Sequence, residues 1–125
     1  MDKLFLALGS INAGLAVLLG AFGAHGLKSR LSADLFDIFE TAVQYHFYHA
    51  LGLLAVGLLA IHYPESGYLR WSGWLMLAGI IIFSGSLYIL SISGIRWLGA
   101  ITPIGGTAFI AAWILLTLAI LKSNL

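Results

Sequence analysis

The chain has 125 residues, of which 61% are hydrophobic and 9% charged, with a formal net charge of +1 and no cysteine. Soluble domains are about 45–50% apolar and about 25% charged, so a water-soluble globule, whose outer faces need polar residues, is excluded. The lack of cysteine excludes disulfides, thiolate catalysis and cysteine-ligated metal. The near-neutral charge gives no basic surface for nucleic acid.

Four apolar stretches, at about 4–22, 41–61, 74–92 and 103–121, fill the sequence. Each is near the roughly 20 residues that a helix needs to cross a bilayer's hydrocarbon core. Lipid offers no hydrogen bonds to a bare backbone, so each stretch must be helical. The expected fold is all-α: an integral membrane four-helix bundle, with residues 1–125 forming one four-span domain.

In chain order, the first apolar run is longer than a signal peptide's usual core of about 7–15 residues, and reads as a first transmembrane helix. The glycine-rich segment Gly20–Gly26 favours a helix stop there. Lys28 and Arg30 lie in a connector. Ser32 is placed to cap helix two, with Asp34 in its first turn.

No breaker interrupts residues 33–61, and a helix of that length would be about 43 Å long, more than the roughly 30 Å of the hydrocarbon core. Its start, at about 33–40, is therefore expected to project as an amphipathic portion. Leu35, Phe36, Ile38 and Phe39 there are apolar, and Asp34, Asp37 and Glu40 recur every third residue.

His62–Gly67 is a turn, and Tyr63, Tyr68, Trp71 and Trp74 mark a membrane boundary. Helix three follows. The short link 93–101 is expected in the interface, and Thr102-Pro103 reads as a cap with proline at the first helical position. Lys3, Arg70 and Lys122 lie on the side of the termini, and Lys28, Arg30 and Arg96 on the far side, so the positive-inside rule leaves orientation undecided.

Small residues recur at helical spacing. They are Gly9, Ala13, Ala16, Gly20 and Gly23 in helix one, Ser72, Gly79, Ser86 and Ser93 in helix three, and Gly105, Ala108, Ala112 and Ala119 in helix four. Such stripes let helices approach in lipid, either within one bundle or between copies. Asn12 is expected to hydrogen-bond across helices.

The polar residues gather toward the far side. The candidate cluster is His25, Asp37, Glu40, Gln44, Tyr45, His46, Tyr48, His49, Arg96 and Thr102. At about 100° per residue, Glu40, Gln44, Tyr48, Thr41, Tyr45 and His49 run down one side of helix two, with Val43, Phe47, Ala50, Leu54 and Leu58 opposite. His46 falls beside His49, off the main stripe.

Polar groups at membrane depth face protein or a wet cavity. One reading is therefore an interhelical network, with Asp37 or Glu40 pairing with Arg96, Lys28 or Arg30. A second is a polar cavity near Gln44–His49 that takes a small solute, an ion or a lipid. A third is a metal or haem site on His25, His46 and His49, against which stand the missing HExxH and diiron patterns. Removing Glu40 or His49 is expected to disturb the bundle more than removing Glu65.

Three segments, Leu19–Leu27, Thr41–Leu51 and Gly99–Gly106, carry the motifs LGAFGAHGL, TAVQYHFYHAL and GAITPIGG. Together they resemble the YgdD/YwdK family of small bacterial inner-membrane proteins of unknown function, itself similar to a small eukaryotic transmembrane protein family. The resemblance spans nearly the whole chain. It implies a four-span protein of the bacterial inner membrane, and it carries no catalytic, metal or cofactor-binding residue.

The expected role is accessory or structural, self-associating and surrounded by membrane lipids, rather than enzymatic. A conduit or binding site for a solute, ion or lipid is the alternative.

Overall fold

A computed structural model describes residues 1–124. Four long helices, α1 (Asp2–Leu27), α2 (Ala33–His62), α3 (Gly67–Ser93) and α4 (Thr102–Leu121), make an antiparallel membrane bundle, and each is long and apolar enough to span a bilayer. A short 3₁₀ turn, Arg96–Ala100, precedes α4.

The start of α2 follows its local chemistry. The Ser32 hydroxyl accepts the Leu35 N–H at 3.2 Å, and the helix runs 30 residues from there. Three local expectations do not hold. First, α1 continues past its glycines through a π turn at Gly23–Leu27. Gly23 serves close packing instead of termination, since a Cβ there would run into the Phe39 ring.

Second, α3 begins at Gly67 and not near Trp74. The Ser66 hydroxyl accepts the Leu69 N–H at 3.3 Å, a cap hidden inside the expected turn. Tyr68, Trp71 and Trp74 therefore stand exposed on the first turns of α3, while Leu69, Ser72 and Gly73 face inward.

Third, Thr102 does not cap α4. Its hydroxyl lies 2.6 Å from that of Ser86, so it joins α3 to α4 instead. Pro103 does sit in the first turn of α4. Gly94 closes α3 with φ of 75°, a left-handed conformation that favours glycine.

α2 and α3 form a central pair, with α1 packed along α2 and α4 along α3. The half of the bundle near the termini has an apolar core that includes Phe5, Leu53, Val56, Leu69, Met76 and Leu116. The far half holds the buried polar side chains His46, His49, Ser84, Ser86 and Ser91. The small-residue stripes are largely used within the chain: Gly9 meets Ala50 and Leu54, Gly79 meets Phe109, and Gly105 lies on the Phe83 backbone.

Gly105→Ala would push a methyl group into Phe83 and should cost about 1–3 kcal/mol, the usual range for overpacking. Gly85 faces open space, so Gly85→Ala should be neutral or stabilising by up to about 1 kcal/mol. Thermal unfolding in detergent checks this, and equal melting temperatures would contradict the α3–α4 packing.

Candidate functional site

His46 lies in α2 and is buried. It is bonded on both ring nitrogens. Asn12 of α1 fixes the direction of the chain of bonds: its amide nitrogen donates to the Leu8 carbonyl at 2.8 Å, so its oxygen is left to accept. The His46 Nε2–H donates to that oxygen at 2.9 Å. His46 Nδ1 is then the acceptor for the hydroxyl of Tyr88 in α3, at 2.9 Å. The relay joins α1, α2 and α3.

His49 sits one turn further along α2, also buried. Indole nitrogen can only donate, so Trp113 of α4 donates its Nε1–H to His49 Nε2 at 3.0 Å. His49 Nδ1–H therefore donates to the Tyr45 carbonyl at 2.7 Å. The Phe109 ring of α4 stacks on the imidazole with centroids 3.4 Å apart and planes 8° from parallel. The two histidines carry their protons on opposite nitrogens.

Serine hydroxyls complete the set. Ser84 donates to the Ala42 carbonyl at 2.9 Å, and Ser72 to the Ala112 carbonyl at 2.7 Å. Among the described residues, no buried side-chain nitrogen or oxygen lacks a hydrogen-bond partner.

The expected cluster does not gather as one site. Among the described residues, His46, His49 and Thr102 are the members whose side chains hydrogen-bond between the four long helices. Asp37, Glu40 and Gln44 are exposed on the outer side of α2, and Tyr45 and Tyr48 are 38% and 52% exposed. The stripe from Glu40 to Tyr48 thus faces out, because α1 and α3 cover the opposite arc, where His46 lies. Arg96 pairs with Asp34, not with Asp37 or Glu40, and both partners are exposed. His25 is exposed on the last turn of α1, and every ring nitrogen of His46 and His49 is already engaged.

In place of one polar cavity there are open grooves on two sides of α2. One, of about 560 Å³, lies between α2 and α4 and is lined by Tyr45, Tyr48, His49, Phe83, Phe109 and Trp113 among others. Gln44 faces the other side, between α1 and α2.

Sequence reasoning missed Tyr88, Ser84, Phe109 and Trp113. A signal existed for α3. Ser84, Tyr88 and Ser91 recur at steps of four and three, which puts them on one helix face.

A helical bundle with four bilayer-length spans and an internally saturated polar interior is a small multi-pass integral membrane protein. Residues 19–106 match the family described as "Protein of unknown function (DUF423)", and the chain belongs to that family. The UPF0382 membrane protein YwdK of Bacillus subtilis is 55% identical over 96% of this chain and 98% of its own length. The UPF0382 membrane protein SSP2132 of Staphylococcus saprophyticus is 50% identical over the same shares. SERP0230 of Staphylococcus epidermidis is 51% identical over 96% of this chain and 97% of its own. Their names state a membrane location and no activity. No solved structure matches.

His46→Leu would leave Asn12 and Tyr88 without their buried partner and should cost about 1–3 kcal/mol. The triple change Asn12→Leu, His46→Leu, Tyr88→Phe should recover part of that loss. His49→Leu should destabilise similarly, whereas Glu40→Leu should cost no more than Glu65→Leu, since Glu40 is exposed and is in no ion pair among the described residues. Melting temperatures in detergent test the series, and a triple variant weaker than His46→Leu alone would contradict the relay.

Proposed function

We propose that this chain is a non-catalytic accessory or structural membrane protein that works as a self-associated assembly. The observation that carries the reading is the saturation of the interior. Among the described residues every buried side-chain nitrogen and oxygen has a hydrogen-bond partner, and His46, His49, Asn12, Ser72, Ser84 and Ser86 use theirs to join helices, a structural use of the interior polar groups.

Self-association draws its support from α1. It is the least buried of the four spans. Ser10 and Gly14, four residues apart, are exposed on it, and a Cβ at Gly14 would meet nothing. A small-xxx-small pair turned toward lipid is the pattern through which membrane helices approach one another.

Gly14→Leu separates the bundle from the assembly. The side chain would enter open space, so the melting temperature of the monomer should hold or rise. Cross-linking in native membranes should give dimers or larger species for the unmodified chain, and markedly fewer for Gly14→Leu. A chain that cross-links only as monomer, with no partner, would end this reading.

A further inference from the structure

The groove between α2 and α4 is walled by rings. Tyr45, Tyr48, His49, Phe83, Phe109 and Trp113 line it, and Gly106 and Ile110 complete the lining. The rings run on from one another. Between centroids, Tyr45 lies 4.8 Å from Phe83 and 5.7 Å from Tyr48, and Phe83 lies 5.4 Å from Phe109. Phe83 reaches the groove from a π turn, Ile80–Ser84, a local widening of α3 of the kind that recurs at functional sites. The volume of about 560 Å³ falls within the roughly 300–1,000 Å³ of small-molecule sites, which are also walled by apolar and aromatic side chains around a few polar groups.

The polar groups restrict what fits. Among the described residues no acid, lysine or arginine lines the groove. His49 is neutral, with one ring nitrogen donating and the other accepting. A phosphate or ammonium headgroup therefore meets no counter-charge there. Trp113 has already given its N–H to His49. The Tyr45 and Tyr48 hydroxyls, by contrast, have no hydrogen-bond partner among the described residues. These two residues stand about 8 and 12 Å along α2 from Glu40, at 1.5 Å per residue. Tyr48, Ile110 and Trp113 are exposed on the flank of the bundle, so an occupant enters from the bilayer. An acyl chain offers the rings no flat face and the hydroxyls no acceptor. A flat conjugated ring gains from aromatic walls beyond the area it buries, and carbonyls on that ring accept from phenol hydroxyls.

We infer that the α2–α4 groove binds an isoprenoid quinone, its ring among Tyr45, Phe83, Phe109 and Trp113 and its carbonyls accepting from the Tyr45 and Tyr48 hydroxyls. The site holds the quinone and requires no redox step. It stands independently of self-association, whose outward pair, Ser10 and Gly14, lies on α1 and does not line the groove.

Native mass spectrometry of the full chain in detergent tests it. The probes are a short-tailed menaquinone, squalene (an isoprenoid hydrocarbon with neither ring nor acceptor) and phosphatidylethanolamine, at equal mole fraction in the micelle. Menaquinone should be retained over squalene by about ten-fold, the combined effect of one stacked ring and one neutral hydrogen bond. That comparison needs no variant. Tyr45→Phe together with Tyr48→Phe keeps both rings and removes both hydroxyls. It should lower menaquinone retention by about three- to ten-fold and leave the melting temperature unchanged, while Tyr63→Phe with Tyr68→Phe should alter neither. A Cβ at Gly106 would come no nearer to Phe83 than 3.8 Å, ordinary contact, so Gly106→Leu should fill the groove and abolish retention with the bundle intact. Equal retention of menaquinone and squalene, a preference for phosphatidylethanolamine, or indifference to the Tyr45/Tyr48 pair of changes would overturn the assignment.

Discussion

A side-chain nitrogen buried in a bilayer cannot fall back on water, and α2 brings two imidazoles into that environment. Each is held by two hydrogen bonds. His46 reaches α1 through Asn12 and α3 through Tyr88, and His49 reaches α4 through Trp113. One helix therefore makes a directional contact with each of the other three. In lipid there is no hydrophobic drive to bring helices together, and packing and interhelical hydrogen bonds must do so. These contacts set the register within which the small residues can pack.

The rest of the architecture follows from that register. α3 contributes Ser72, Ser84, Ser86 and Tyr88, which tie it to α2 and α4. Glycines at the crossings bring backbones close, as where Gly105 rests on Phe83. Where α2 and α4 stand further apart, aromatic rings bridge them, with Phe109 stacked on His49. The two grooves beside α2 are the spaces left over. One is aromatic and the other, along α1, sets Glu40, Gln44 and Tyr48 among apolar side chains, and among the described residues no buried side-chain nitrogen or oxygen is left unpaired.

The number of spans and their helical character were legible because hydrocarbon thickness and backbone saturation leave few alternatives. The Ser32 cap was legible from local chemistry, since a serine ahead of an apolar periodic run has one common use. The start of α3 was not, because Ser66 lies between Pro64 and Gly67 and reads as part of a turn. Thr102 has the sequence context of a cap, yet it bonds to Ser86, which lies sixteen positions away in the chain. The facing of α2 failed for a related reason. Periodicity gives the relative angles of Glu40, Gln44, His46 and His49, but which arc is covered depends on where α1 and α3 settle. The polar stripe at the water boundary can point outward, because Cα–Cβ bonds tilt toward the helix N-terminus and carry the Gln44 and Tyr48 side chains toward the headgroups.

The central claim is that α2's two imidazoles are locked by opposite partners. Nitrogen-15 solid-state NMR of histidine-labelled protein in bilayers reads this directly, because protonated and bare ring nitrogens resonate far apart. Two of the four histidines should be neutral single tautomers, His46 with its proton on Nε2 and His49 with its proton on Nδ1, each assigned by loss of its signal in a His46 or His49 substitution. Two rings with the same tautomer, or with exchange-averaged nitrogens as in water, would contradict the account.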